Sequence, residues 1–86
     1  MFIQLNSTKV CRNIRYLRTK RRMTQKALAQ CLRIEPIEVR HLESEKSLPV
    51  MDYDVLCRVC AFFGVGIQDL METDLSVRAR LNVGKQ

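Results

Sequence analysis

The apolar pattern of the sequence breaks between Leu32 and Pro36 and resumes just beyond. Before the break, Ala27, Leu28 and either Cys31 or Leu32 fall at helical spacing; after it, Val39 and Leu42 do. Two helices of about two turns each, joined by so short a turn, are marginal in water without tertiary packing. They must be braced by neighbours within one small domain, and 86 residues supply one domain at most.

The neighbours are also helical. Val10, Ile14, Leu17 and Cys11 make one apolar stripe, capped by Asn6, Ser7 or Thr8, with Arg12, Arg15 and Arg18 on the other face. Lys20-Arg21-Arg22 closes that helix, where cations suit the dipole. Thr24 is the expected N-cap of the first short helix, from Gln25 to Leu32, and Pro36 the first residue of the second. Residues 44–51, with Pro49, form a loop; Asp52 caps a fourth helix with Leu56, Val59, Cys60 and Phe63 turned inward, and Gly64 ends it. A fifth helix is expected over Ile67 to Met71. With only three glycines and two prolines, hairpins have little room. The expectation is an all-α, compact five-helix bundle over residues 1–74, then a basic, flexible tail over 75–86 that Leu75, Val77 and Leu81 can turn into an amphipathic extension.

Charge narrows the function. Residues 1–34 carry +9 with no acid, residues 35–75 carry −6, and residues 76–86 carry +3. Such a split points to one face made for a polyanion. No apolar run approaches the length of a membrane span, and the start of the chain has no secretory pattern. A cytoplasmic location is therefore expected, with Cys11, Cys31, Cys57 and Cys60 as thiols.

Two short helices at this spacing are the core of a helix-turn-helix, whose second helix enters the major groove of DNA. Ile14-Arg15-Tyr16-Leu17-Arg18, then Met23-Thr24-Gln25 with Leu28-Ala29, then Val39, Leu42 and Glu43, then Leu56, Val59, Cys60, Phe63-Gly64-Val65 and Asp69-Leu70 follow in order. This series resembles the phage-repressor-like, Cro/C1 or XRE-type family of DNA-binding domains, over about Val10 to Leu70. The resemblance implies a lambda-repressor-like fold and a transcriptional regulator, repressor-like, that binds double-stranded DNA as a homodimer. It departs from the family at Arg22, Arg33 and Glu45, where glycine is common, and its loop around Leu48 to Met51 is about two residues longer.

The resemblance puts Pro36, Ile37, Arg40 and His41 on the base-facing side of the third helix and Gln25 against a phosphate or a base. The chemistry fits in part: Arg40 can pair with guanine O6 and N7, and Ile37 can meet a thymine methyl. Arg15, Arg22, Thr24, Lys26, Ser44 and Lys46 are the expected phosphate contacts, which set register without reading sequence. A charge run is usually a solvated helix face, but the absence of any acid before Glu35 favours a phosphate-facing role for this one. Arg18 and Glu43 are expected to form a structural ion pair between the first and third helices. Glu35 and Glu38 would repel phosphate, yet they also suit a helix N-terminus. They favour the alternative reading, a protein-interaction module such as a small antitoxin or anti-regulator. The dimer surface is expected around Ile67 to Leu75 and the tail.

Other chemistry is set aside. Cys57-Arg58-Val59-Cys60 is a C-x-x-C without a second pair, so no metal is expected. One histidine, no glycine-rich phosphate loop and no paired carboxylates in a cleft give no catalytic site. No enzyme activity, cofactor, membrane association or small-molecule ligand is expected.

Overall fold

Chain order in the computed structural model is β1 (Phe2–Gln4), α1 (Ser7–Lys20), α2 (Gln25–Leu32), α3 (Pro36–Glu43), β2 (Val50–Asp52), α4 (Tyr53–Phe63), α5 (Ile67–Glu72) and α6 (Leu75–Asn82). The structure describes the backbone of residues 2–4, 7–44 and 50–82, and the side chains of residues 9–44 and 52–81. The expected cap of α1, Glu45, Lys46, Pro49 and the side chain of Met51 lie outside these.

The fold is all-α apart from one small ribbon. Val10, Cys11 and Ile14 of α1, Leu28 and Leu32 of α2, Val39 and Leu42 of α3, and Leu56, Val59, Cys60 and Phe63 of α4 form one buried cluster, joined by Leu70 of α5. Each of these helices buries one stripe, as its apolar spacing dictates. Cys31, the alternative to Leu32, is exposed. The short helices α2 and α3 pack on each other, α3 on α1 and α2 on α4.

Local signals set the boundaries. Thr24 Oγ1 accepts the Ala27 N–H at 3.0 Å, Pro36 opens α3, and Asp52 Oδ1 accepts the Asp54 N–H at 2.9 Å. Gly64, at φ +69°, ends α4 with the Val65 N–H on the Cys60 carbonyl. Arg22 and Arg33 stand at φ +56° and +59°, the left-handed turns where the family commonly has glycine.

Two features differ from the sequence reading. β1 and β2 pair antiparallel, with Phe2 opposite Asp52 and Gln4 opposite Val50. So part of the expected loop is strand. Among the described residues there are six helices, not five, because residues 75–82 of the expected flexible tail form α6. The cause is Asn13, only 2% exposed on α1. Its Nδ2 donates to the Leu70 and Thr73 carbonyls at 2.8 and 2.7 Å, and its Oδ1 accepts the Leu75 N–H at 3.1 Å. One side chain thus closes α5 and opens α6. Asp74 Oδ1 adds a second N-terminal anchor, taking the Val77 N–H at 3.2 Å.

Candidate nucleic-acid interface

α3 divides cleanly. Val39, Leu42 and Glu43 are buried, while Pro36, Ile37, Glu38, Arg40 and His41 are exposed. The expected base-facing residues of α3 therefore share one outer surface. Ile37 is 47% exposed, unusual for a large apolar side chain here, and Arg40 has no hydrogen bond or ion pair among the described residues. An unengaged guanidinium beside an exposed apolar side chain has what major-groove contacts require: a bidentate donor and a methyl-sized surface.

The buried edge of α3 fixes its direction. Arg18 Nε donates to Glu43 Oε2 at 2.6 Å and its Nη2 to Oε1 at 2.9 Å, a bidentate pair. Arg18 Nη1 also holds the Met23 carbonyl at 2.7 Å. The hydrogen bond to Glu43 raises the Arg18 pKa further above its ordinary value, against the cost of burial. A guanidinium joined to α1, to the turn before α2 and to the end of α3 ties three elements at one point.

Gln25 is drawn into this arrangement. Its Nε2 donates one hydrogen to Glu43 Oε1 at 3.2 Å and the residue is half-buried, so the amide is oriented by the Arg18–Glu43 pair. Arg15 also reaches α3, with Nη2 on the Glu43 carbonyl at 3.2 Å, but stays exposed. Arg22, Thr24 and Lys26 are exposed where the chain turns into α2. The Thr24 cap leaves the N–H groups at the very start of α2 ahead of its first helical bond, a place where phosphate oxygens bind well. Ser44 is half-buried; its carbonyl accepts from Cys11 Sγ at 3.3 Å. Lys46 lies outside the described residues.

Glu35 and Glu38 do not project as free carboxylates. Glu35 is the N-cap of α3, and Glu38 Oε2 accepts its N–H at 3.1 Å, one arm of a capping box. Their charge is set against the positive end of the helix.

Among the described residues no group of three or more His, Cys, Asp or Glu side chains is arranged to hold a metal. All four cysteines are free; burial pushes the Cys60 thiol pKa up, and Cys57 adds to it. A buried, hard-to-ionise thiol packs as a small apolar group. Among the described residues no helix is long and apolar enough to cross a membrane.

Sequence reading missed Asn13. The signal was present: Asn13 lies at the i+3 position of the stripe begun by Val10 and continued by Ile14 and Leu17, a polar residue on an inward face.

The chain is similar to ClgR, the clp gene regulator from Corynebacterium glutamicum, with a TM-score of 0.68 at 20% identity over 94% of this chain and 84% of that one. At that identity the likeness shows the fold. A search of curated proteins finds no match. The model of the Cro/C1-type HTH DNA-binding domain matches residues 13–75, from the middle of α1 to the first residue of α6. The chain belongs to that family of DNA-binding domains.

Proposed function

We propose that the chain is a transcriptional regulator that binds an operator sequence as a homodimer, with α3 in the major groove. The observation that carries this reading is the division of α3. Its inner edge is locked by Val39, Leu42 and the Arg18–Glu43 pair, and its outer edge offers Pro36, Ile37, Arg40 and His41. Arg40 supplies guanine readout and Ile37 a thymine-methyl contact. Arg22, Thr24 and Lys26, with Arg15 alongside, supply phosphate contacts, and Ser44 and Lys46 continue them beyond α3. A two-fold dimer would place two α3 helices about one turn of DNA apart. Leu70 and Leu75 are buried within the chain, so the dimer contact is assigned to the last turn of α6, around Leu81, which is 67% exposed. The similarity to ClgR, a clp gene regulator, is consistent with this reading.

The test is duplex binding across a salt series, on random DNA and on duplexes selected from a random pool. Affinity should fall steeply as salt rises, and Arg40→Ala should lose about 1–3 kcal/mol on the selected site and relax its specificity. No duplex binding even at low salt would leave the interaction module as the better reading.

A further inference from the structure

Away from α3, the second half of α1 passes α6 and the C-terminal end of α4, and the surface opens into a groove of about 440 Å³. Phe63 and Leu75 give it an apolar floor, and the Tyr16 ring forms part of one wall. Every charged residue lining it is a cation: Lys20, Arg21 and Arg78. No residue of α2 or α3 contributes, and the α1 side chains that meet α3, Arg15 and Arg18, leave the helix on another side. The groove is thus separate from the surface assigned to DNA.

The cations are already oriented. The Arg21 guanidinium lies 5.2 and 4.9 Å from the Phe62 and Phe63 ring centroids, and one of its nitrogens donates to the Phe62 carbonyl at 3.3 Å. Its remaining N–H groups have no acceptor among the described residues. Lys20 Nζ stands 5.7 Å from the Tyr16 ring centroid. Arg78 pairs with Asp69 at 3.3 Å, both side chains being close to half exposed. An ion pair so open to water is weak and exchanges readily for a better acceptor.

The geometry points to a binding site for a small amphipathic anion, an aromatic or short-chain carboxylate. Its apolar body would lie on Phe63 and Leu75, and its carboxylate would meet Arg78, Lys20 or Arg21. The volume falls at the small end of sites that take such molecules, roughly 300–1,000 Å³. A phosphodiester backbone would leave the floor unfilled, and a neutral apolar molecule would make no use of the cations around it. Charge and floor together select a molecule with both parts.

NMR titration of the full chain tests this, with 2-naphthoate, its neutral analogue 2-naphthylmethanol and inorganic phosphate as probes. 2-Naphthoate should shift the amide signals of Tyr16 and Arg78 and their neighbours, and bind about tenfold more tightly than 2-naphthylmethanol, the effect of one charge-assisted hydrogen bond. Phosphate should not compete. Arg78→Gln and Lys20→Gln should each weaken 2-naphthoate about three- to tenfold while leaving the thermal melt close to that of the parent. Any of four results would overturn the proposal. They are no shift at millimolar 2-naphthoate, equal affinity for the neutral analogue, displacement by phosphate, or shifts at the groove on raising protein concentration alone. The last would show a second copy covering it.

Discussion

Glu43→Gln is the sharpest perturbation of the element that aims α3. Glu43 is 3% exposed, and its carboxylate accepts two hydrogen bonds from Arg18 and one from Gln25. Glutamine keeps the volume but removes the charge, and its NH₂ turns one of those contacts into donor against donor. Arg18, with 14% of its side chain exposed, would keep the Met23 carbonyl but lose its counter-charge. Removing one partner of a buried pair costs about 3–5 kcal/mol, and the partial exposure of Arg18 places the expected loss near ~3 kcal/mol. For a chain of this size that lowers the melting temperature by roughly 12–24 °C. Urea unfolding followed by circular dichroism measures it. The double variant Arg18→Met with Glu43→Leu separates stability from aim, because an apolar pair of similar size is often no less stable than the ions it replaces. It should recover most of the stability while losing affinity for a selected duplex. A loss below about 1 kcal/mol for Glu43→Gln, or full duplex affinity in the stable double variant, would refute the view that this pair directs α3.

Asn13→Leu should destabilise by about 3 kcal/mol in the same unfolding assay, since it orphans three backbone groups that Asn13 satisfies. The α6 amides should lose hydrogen-exchange protection before those of α3. Arg33→Gly and Arg22→Gly should each gain roughly 1 kcal/mol by relieving left-handed backbone. Only Arg22→Gly should reduce the salt dependence of duplex binding, by about one phosphate contact. The Asp74 carboxyl is held below its ordinary 3.8 by the Ser76 hydroxyl and then the Val77 N–H. Its contribution to α6 is full above that ordinary value and is lost as pH falls through the lowered one. The first turn of α6 should therefore fray at acid pH in amide-exchange measurements, and Asp74→Asn should remove this pH dependence.

What was legible in the sequence was local. Thr24, Pro36, Asp52 and Gly64 each act within a few residues of their own position, and their boundaries follow from caps and turns. What was not legible depends on distant chain. β1 and β2 are three residues each and stand 45 residues apart, so no turn signal or alternation announces their pairing. α6 depends on Asn13, 62 residues before Leu75. Its own apolar residues give no clear stripe, and Leu81 is exposed. At the candidate interface the outer residues of α3 follow from helical spacing once Val39 and Leu42 are placed inward. The orientation of the Gln25 amide does not, since it needs the position of Glu43 across the α2–α3 turn.

The uneven charge has a different meaning once the partners are known. The +9 of residues 1–34 is not one DNA-facing patch. Lys9 Nζ donates to the Glu72 carbonyl at 3.0 Å, and Arg12 lies close enough to act on the Asp74 carboxylate, after the hydrogen bonds from Ser76 and Val77. Lys20 and Arg21 face the groove beside α6, and Arg18 is neutralised by Glu43. These cations hold α1 against the acidic second half of the chain or line the groove. That leaves Arg15, Arg22 and Lys26, with Arg40 from α3, as the exposed cations of the proposed contact set, and Arg33 exposed outside it. The −6 segment is divided as well: Glu43 is buried in its pair, and Glu38 caps its own helix. Part of the opposed charge has become internal pairing, at Arg18 with Glu43 and at Arg12 near Asp74. On the proposed reading, the cations left to meet DNA are a smaller set than the totals suggest, so docking would rely on the direction of α3 as much as on charge.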